Sequence, residues 1–254
     1  MPEFRRLMKE EQLGWTQIMN RQMRSLWEKG RVRDQARQAV SDGAHTDVIQ
    51  PSALELDPPF VMLQVSDSEI KWSMSRLPVF PRMLDAVCLA AKAGAQQAVV
   101  SDANTVFIEE FLNHHGIRGL FQKGVSTNGG EFTADGRLDV QPYHTNEDKP
   151  HGCSLCPPNM CKGTILDGLL AAPERGDGRA FDTVFYVGDG LGDYCPALRL
   201  RPGDLLLARD AEEGKQQYGL RERIERGDGG SMACRVLPWR SGDDVYSTFE
   251  RELG

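Results

Sequence analysis

Near the amino terminus, apolar side chains return every three or four positions. Trp15, Ile18, Met19, Met23, Leu26 and Trp27 are separated by Lys, Arg, Glu and Gln, the period of a helix that buries one face. The pattern predicts an amphipathic helix over residues 3–28, stopped near Gly30, and a second short helix over 34–40. Periodicity is then lost over 42–60, which ends in Asp57-Pro58-Pro59 and reads as a loop or linker.

From about residue 82 short apolar runs alternate with helical ones. Helices are expected over 83–93, with Gly94 as a stop, and over 106–115, 162–170 and 245–253. Strands are expected over 97–100, 184–187 and 205–208, whereas 122–161, rich in Gly, Asn, Pro and Cys, reads as irregular. Short apolar strands between helices imply an α/β fold, a doubly wound parallel sheet covered on both faces. Ligands of such sheets bind beyond the carboxyl ends of the strands. Ser101-Asp102 and Gly188-Asp189-Gly190 therefore fall on one rim.

Composition narrows the function classes. The 254 residues suffice for one large domain or a core with a small accessory one, and 40% hydrophobic with 26% charged content is ordinary for a soluble globular protein. A net charge of −7 without a basic stripe argues against a general nucleic-acid binder. A small phosphorylated partner remains compatible, because a metal or lysine reverses the field inside a pocket. Met-Pro-Glu-Phe-Arg-Arg lacks the apolar segment of a signal peptide. No run approaches the roughly 18–20 apolar residues of a membrane span. Six cysteines are too sparse for a disulfide scaffold. A cytoplasmic protein with no membrane partner is expected.

The run 184–187 feeds into Gly188-Asp189-Gly190-Leu191-Gly192-Asp193. As a dinucleotide loop the match is poor, since Asp189 would set a negative charge beside the pyrophosphate. Carboxylates on a glycine-softened turn suit a hard cation such as Mg²⁺. An Asp-Gly turn with Asp193 capping the next helix is the structural alternative.

Three segments in order resemble a known family: Val99-Val100-Ser101-Asp102-Ala103-Asn104, then Cys153-x-x-Cys156-Pro157-x-Asn159-Met160-Cys161-Lys162-Gly163, then Gly188-Asp189-Gly190-x-x-Asp193-Tyr194-Cys195-Pro196. Together they resemble the phosphoethanolamine/phosphocholine phosphatases of the haloacid dehalogenase superfamily, with pyridoxal-phosphate and plant thiamine-phosphate phosphatases among the relatives. The resemblance implies Mg²⁺-dependent hydrolysis of a small phosphomonoester through an aspartyl-phosphate. It makes Asp189 a direct metal ligand and Asp193 an indirect one. Ser101 would donate to the phosphoryl group, Lys162 would neutralise its oxygens and the nucleophile, and Asp102 and Asn104 would lie near the substrate. A carboxylate at Asp102 would favour a cationic head group, and the competing reading is a turn or capping aspartate.

The family reaction starts on an Asp-x-Asp motif at the end of a first strand, and this sequence contains no Asp-x-Asp. That strand, expected mid-sheet, would leave its two neighbours facing a gap. Phe60-Val61-Met62-Leu63-Gln64-Val65 followed by Asp67-Ser68-Glu69 imitates the motif superficially, and 46–75 looks inserted relative to the family pattern. The expected organisation is a helical cap over 1–45, an inserted or linker segment over 46–80, and a haloacid dehalogenase-like core over 81–254. A catalytically silent truncated form or pseudoenzyme that at most binds phosphate is the rival reading. Oligomeric state is not legible. Finally, Cys153, Cys156 and Cys161, with His144 or His151, could furnish four tetrahedral zinc ligands. The competing reading is a substrate-side loop that delivers Lys162 to a helix start.

Overall fold

The computed structural model describes residues 67–134, 136, 138–144, 151–172, 178, 180–227 and 229–254. Along the chain run α1 (Asp67–Ser75), α2 (Met83–Lys92), β1 (Val99–Asn104), α3 (Thr105–His114), β2 (Val125–Phe132), β3 (Leu138–Gln141) and α4 (Lys162–Leu170). There follow β4 (Phe185–Gly188), α5 (Tyr194–Ala197), β5 (Leu205–Arg209), α6 (Gly219–Arg226), β6 (Arg235–Trp239) and α7 (Gly242–Leu253). No described helix is long and apolar enough to cross a membrane.

Leu205, Leu206, Leu207 and Ala208 carry no polar side chain, so a strand built from them must be covered on both faces. Leu206 and Ala208 join Leu166, Leu170, Tyr194 and Leu220 in one buried cluster. Leu205 and Leu207 point the other way and join Ala86, Ala90, Trp239, Val245 and Phe249. The period of two along β5 thus feeds two cores, one under α4, α5 and α6 and the other under α2 and α7. β5 lies between β4 and β6, both parallel to it, with Phe185 opposite Leu205 and Leu207 opposite Leu237.

A second sheet has the order β1, β2, β3. β1 and β2 are parallel from Val99 opposite Val125, and β3 turns back antiparallel to β2. The α/β class and the parallel pairing match expectation; β3 is an addition to it. Among the described residues β1 and β4 each pair along one edge only.

Several elements depart from the sequence reading. The 122–161 stretch is not wholly irregular, because β2 and β3 lie within it. β2 reads Val-Ser-Thr-Asn-Gly-Gly-Glu-Phe, and its strand character comes from pairing on both sides rather than from an apolar run. The strand expected over 97–100 occupies Val99–Asn104, and α6 and β6 were not expected at all. The described part of the 46–80 segment contains α1, and Asp67-Ser68-Glu69 forms its first turn. The helices expected over 3–28 and 34–40, the cap over 1–45 and the run 60–65 lie outside the described residues.

Candidate active site

Three segments meet at the site. β1 brings Ser101 and Asp102, the first turn of α4 brings Lys162, and the turn after β4 brings Asp189 and Asp193. β1 reaches it through a bulge. Ser101 lies opposite Thr127 and Asn104 opposite Asn128, so Asp102 and Ala103 have no partner in the register. The buried Asn128 fills the irregularity, its amide donating to the carbonyls of Asp102 at 2.8 Å and Ala103 at 3.0 Å. A bulge of this kind re-aims a side chain, here the Asp102 carboxylate.

Lys162 is the hub. Its ammonium is 3.0 Å from Asp193 Oδ1 and 3.8 Å from Asp102 Oδ2, with only 11% of the side chain exposed. Burial alone would lower its pKa, but the carboxylates of Asp193 and Asp102 outweigh that and raise it. Lys162 therefore remains a cation.

Asp193 is saturated. Its Oδ1 also accepts from the Tyr186 hydroxyl at 2.8 Å, while Oδ2 accepts from the backbone N–H groups of Asp189 at 3.1 Å and Gly190 at 2.9 Å. Burial opposes its charge, and Lys162 with the Gly190 N–H and Tyr186 more than compensates, so its pKa falls. Asp189 differs. Burial and the neighbouring Asp193 raise its pKa, with Arg209 and Lys162 offsetting only part. Its side chain stays 44% exposed, and Arg209 Nη1 stands 3.5 Å from Oδ2.

Two glycines make this approach possible. A Cβ on Gly188 would stand 2.8 Å from the Asp193 Cβ, and one on Gly192 would stand 3.0 Å from Asp102 Oδ2. Trp239 Nε1 holds the end of β4 by donating to the Gly188 carbonyl at 3.2 Å.

Of the residues expected from sequence, Asp102, Lys162, Asp189 and Asp193 thus form one electrostatic cluster. Ser101 begins the bulge, and its hydroxyl accepts from the Ala103 N–H at 3.2 Å. The buried Asn104 caps α3, its Oδ1 accepting from the Phe107 N–H at 3.0 Å. Tyr186 and Arg209 were missed. Tyr186 shares a strand face with Gly188 at a spacing of two, and its hydroxyl in an apolar run was the available signal. Arg209 ends the 205–208 run on the same rim, and its guanidinium lies over the rings of Phe80, Tyr218 and Trp239.

Three carboxylates against Lys162 and Arg209 leave the cluster with a net negative charge. Hard oxygen donors and that excess fit a divalent cation in kind. Asp189 offers the one open carboxylate of the pair after β4, because both oxygens of Asp193 are already bonded.

Residues 60–253 match the family described as "Putative Phosphatase". The chain belongs to this phosphatase family. Inorganic pyrophosphatase 2 of Arabidopsis thaliana is 45% identical over a stretch covering 56% of this chain and 50% of that protein. The probable phosphatase phospho1 of Danio rerio is 34% identical, covering 74% of this chain and 66% of its own. The phosphoethanolamine/phosphocholine phosphatase of Homo sapiens is 36% identical, covering 70% and 63%. The chain spans about half to two thirds of the length of these relatives. The phosphatase family is the one the three motifs implied.

Proposed function

We propose that this chain carries the core of a Mg²⁺-dependent phosphatase that hydrolyses a small cytoplasmic phosphomonoester through an aspartyl-phosphate. Phosphoethanolamine or phosphocholine is the leading substrate class, ahead of thiamine monophosphate and pyridoxal phosphate. The observation that carries the reading is the buried Lys162 ammonium, fixed between Asp193 and Asp102 at the carboxyl ends of β1 and β4. Phosphoryl transfer is accelerated chiefly by positioning and by positive charge around the equatorial oxygens.

Lys162 supplies that charge, and Ser101 turns its hydroxyl proton toward a phosphoryl oxygen. Asp189 would hold the metal with its open carboxylate, and Asp193, which fixes the turn through the Asp189 and Gly190 N–H groups, would support the metal indirectly. Bound magnesium would screen the phosphate and polarise it for attack. Asp102 faces the leaving alcohol and attracts a cationic head group, while Asn104 fixes the β1–α3 junction beside the substrate. In the covalent step a carboxylate oxygen bonds phosphorus as the bond to the leaving alcohol breaks. The family pattern takes that carboxylate from Asp-x-Asp, which this sequence lacks.

The test is a phosphate-release assay with Mg²⁺ on this chain and on the same chain preceded by a strand ending in Asp-x-Asp. The extended chain is expected to hydrolyse phosphoethanolamine and phosphocholine with higher kcat/KM than pyrophosphate. Lys162→Met or Asp189→Asn should remove at least about 100-fold of that activity. Asp102→Asn should depress the cationic substrates selectively. An extended chain inert toward every one of these phosphomonoesters overturns the proposal, as does a preference for pyrophosphate.

A further inference from the structure

A second cluster lies immediately behind Lys162, and phosphate chemistry does not use it. The sulfurs of Cys153, Cys156, Cys161 and Cys195 all lie within 4.8 Å of one another. Cys153 Sγ is 3.6 Å and Cys161 Sγ 3.8 Å from Cys195 Sγ. All six cysteines of the chain are free thiols, and Cys161 and Cys195 are buried. Four sulfurs each about 2.3 Å from a central zinc are separated by about 3.8 Å along the edges of the tetrahedron. We propose that these four cysteines form a structural tetrathiolate zinc site.

Donors around the sulfurs suit thiolates. Cys161 Sγ accepts from the Thr164 N–H at 3.4 Å and the Thr164 hydroxyl at 3.3 Å. Arg199 Nη2 lies 3.9 Å from Cys195 Sγ, and its other end pairs with Asp167. Four thiolates on one Zn²⁺ leave a net charge of −2, which such donors and a guanidinium offset. Gly163 makes the approach possible, since a Cβ there would stand 2.6 Å from Cys195 Sγ.

Among the described residues the donor group contains four sulfurs and neither His144 nor His151, the histidines expected as fourth ligands. His151 uses both ring nitrogens, Nδ1 accepting from the Cys153 N–H at 3.1 Å and Nε2 meeting the Pro157 carbonyl at 2.9 Å. It braces the loop, and Cys195, 34 residues beyond Cys161, closes the set. Tetrahedral sulfur ligation accommodates zinc or a single iron, and elemental analysis distinguishes them. On binding, the four thiols release their protons to solvent as four Zn–S bonds form, with no change of oxidation state. The ion would tie the residue before Lys162 to the helix that follows Asp193, fixing the buried pair from behind.

The experiment uses the full chain purified under reducing conditions without chelator. Elemental analysis is expected to find about one zinc per chain, and a mercurial thiol reagent should release that zinc into a coloured chelator as four thiols are titrated. Exchange with cobalt should yield the visible bands of a tetrathiolate centre. Arg199→Met, which spares every ligand, should weaken zinc retention about tenfold. Metal-free protein, iron in place of zinc, zinc release without thiol titration, or a cysteine disulfide in the mass spectrum would each overturn the proposal. All but one of these readouts use the unaltered chain, so a variant that fails to fold does not blunt the test.

Discussion

Lys162 and Asp193 are each expensive to bury alone and acceptable only together. Asp193→Ala would strand the ammonium and leave the N–H groups of Asp189 and Gly190 without their acceptor. A loss of about 3–5 kcal/mol is expected in urea denaturation at neutral pH. The pH dependence follows from the directions of the two shifts. Asp193 lies below its ordinary 3.8 in the folded chain, so its contribution is complete above that value and is lost as pH falls through the depressed one. Lys162 lies above its ordinary 10.5, so its contribution is complete below that value and is lost as pH rises through the raised one. The stability gap between wild type and Asp193→Ala should therefore be flat between these limits and shrink in acid. A gap unchanged in strong acid would mean that Asp193 acts by packing rather than by charge.

Among the elements, β2 joins the substrate-side bulge to the loop that carries Lys162. Asn128 donates to the Asp102 and Ala103 carbonyls, and its Oδ1 accepts from the Tyr143 N–H at 3.0 Å and the Asn159 amide at 3.4 Å. Asn128→Ala is expected to lower stability by about 2–3 kcal/mol by denaturant titration, since several buried polar groups lose partners at once. It should also weaken phosphate binding by isothermal titration, because the aim of Asp102 depends on the bulge; unchanged binding would separate the two. This is also where the sequence was hardest to read. β5 announces itself through four consecutive apolar residues that fill two cores, and α4 begins and ends where its pattern predicts. β2 has almost no apolar signal, because its pairing supplies what its side chains do not. α6 carries six charged or glycine positions and buries Leu220 alone, and β6 is an edge strand interrupted by Pro238. The chemistry was more legible than the elements. Asp102, Lys162, Asp189 and Asp193 stand out by residue type at predicted strand and helix ends, whereas Tyr186 and Arg209 acquire their roles only through three-dimensional proximity.

At the scale of the molecule, the described residues form two three-stranded sheets that share no strand. The Lys162 cluster bridges them, from Asp102 in the β1 bulge to Asp193 after β4. β1 and β4 each present one unpaired edge among the described residues, and Val187 on β4 remains 39% exposed. An unpaired strand edge leaves backbone donors and acceptors to water and opens easily. A strand seated between β1 and β4 would pair both edges, and one ending in Asp-x-Asp would place its carboxylates beside Lys162 and Asp189. Extending the chain with such a strand is therefore expected to raise the denaturation midpoint. It should also slow amide exchange in β1 and β4 far more than in β6, which among the described residues pairs with β5 at the other end of its sheet. Hydrogen exchange followed by mass spectrometry on both chains reads this directly. Equal protection of β4 with and without the added strand would mean that its edge is already paired by another part of the chain, and the missing nucleophile should then be sought there.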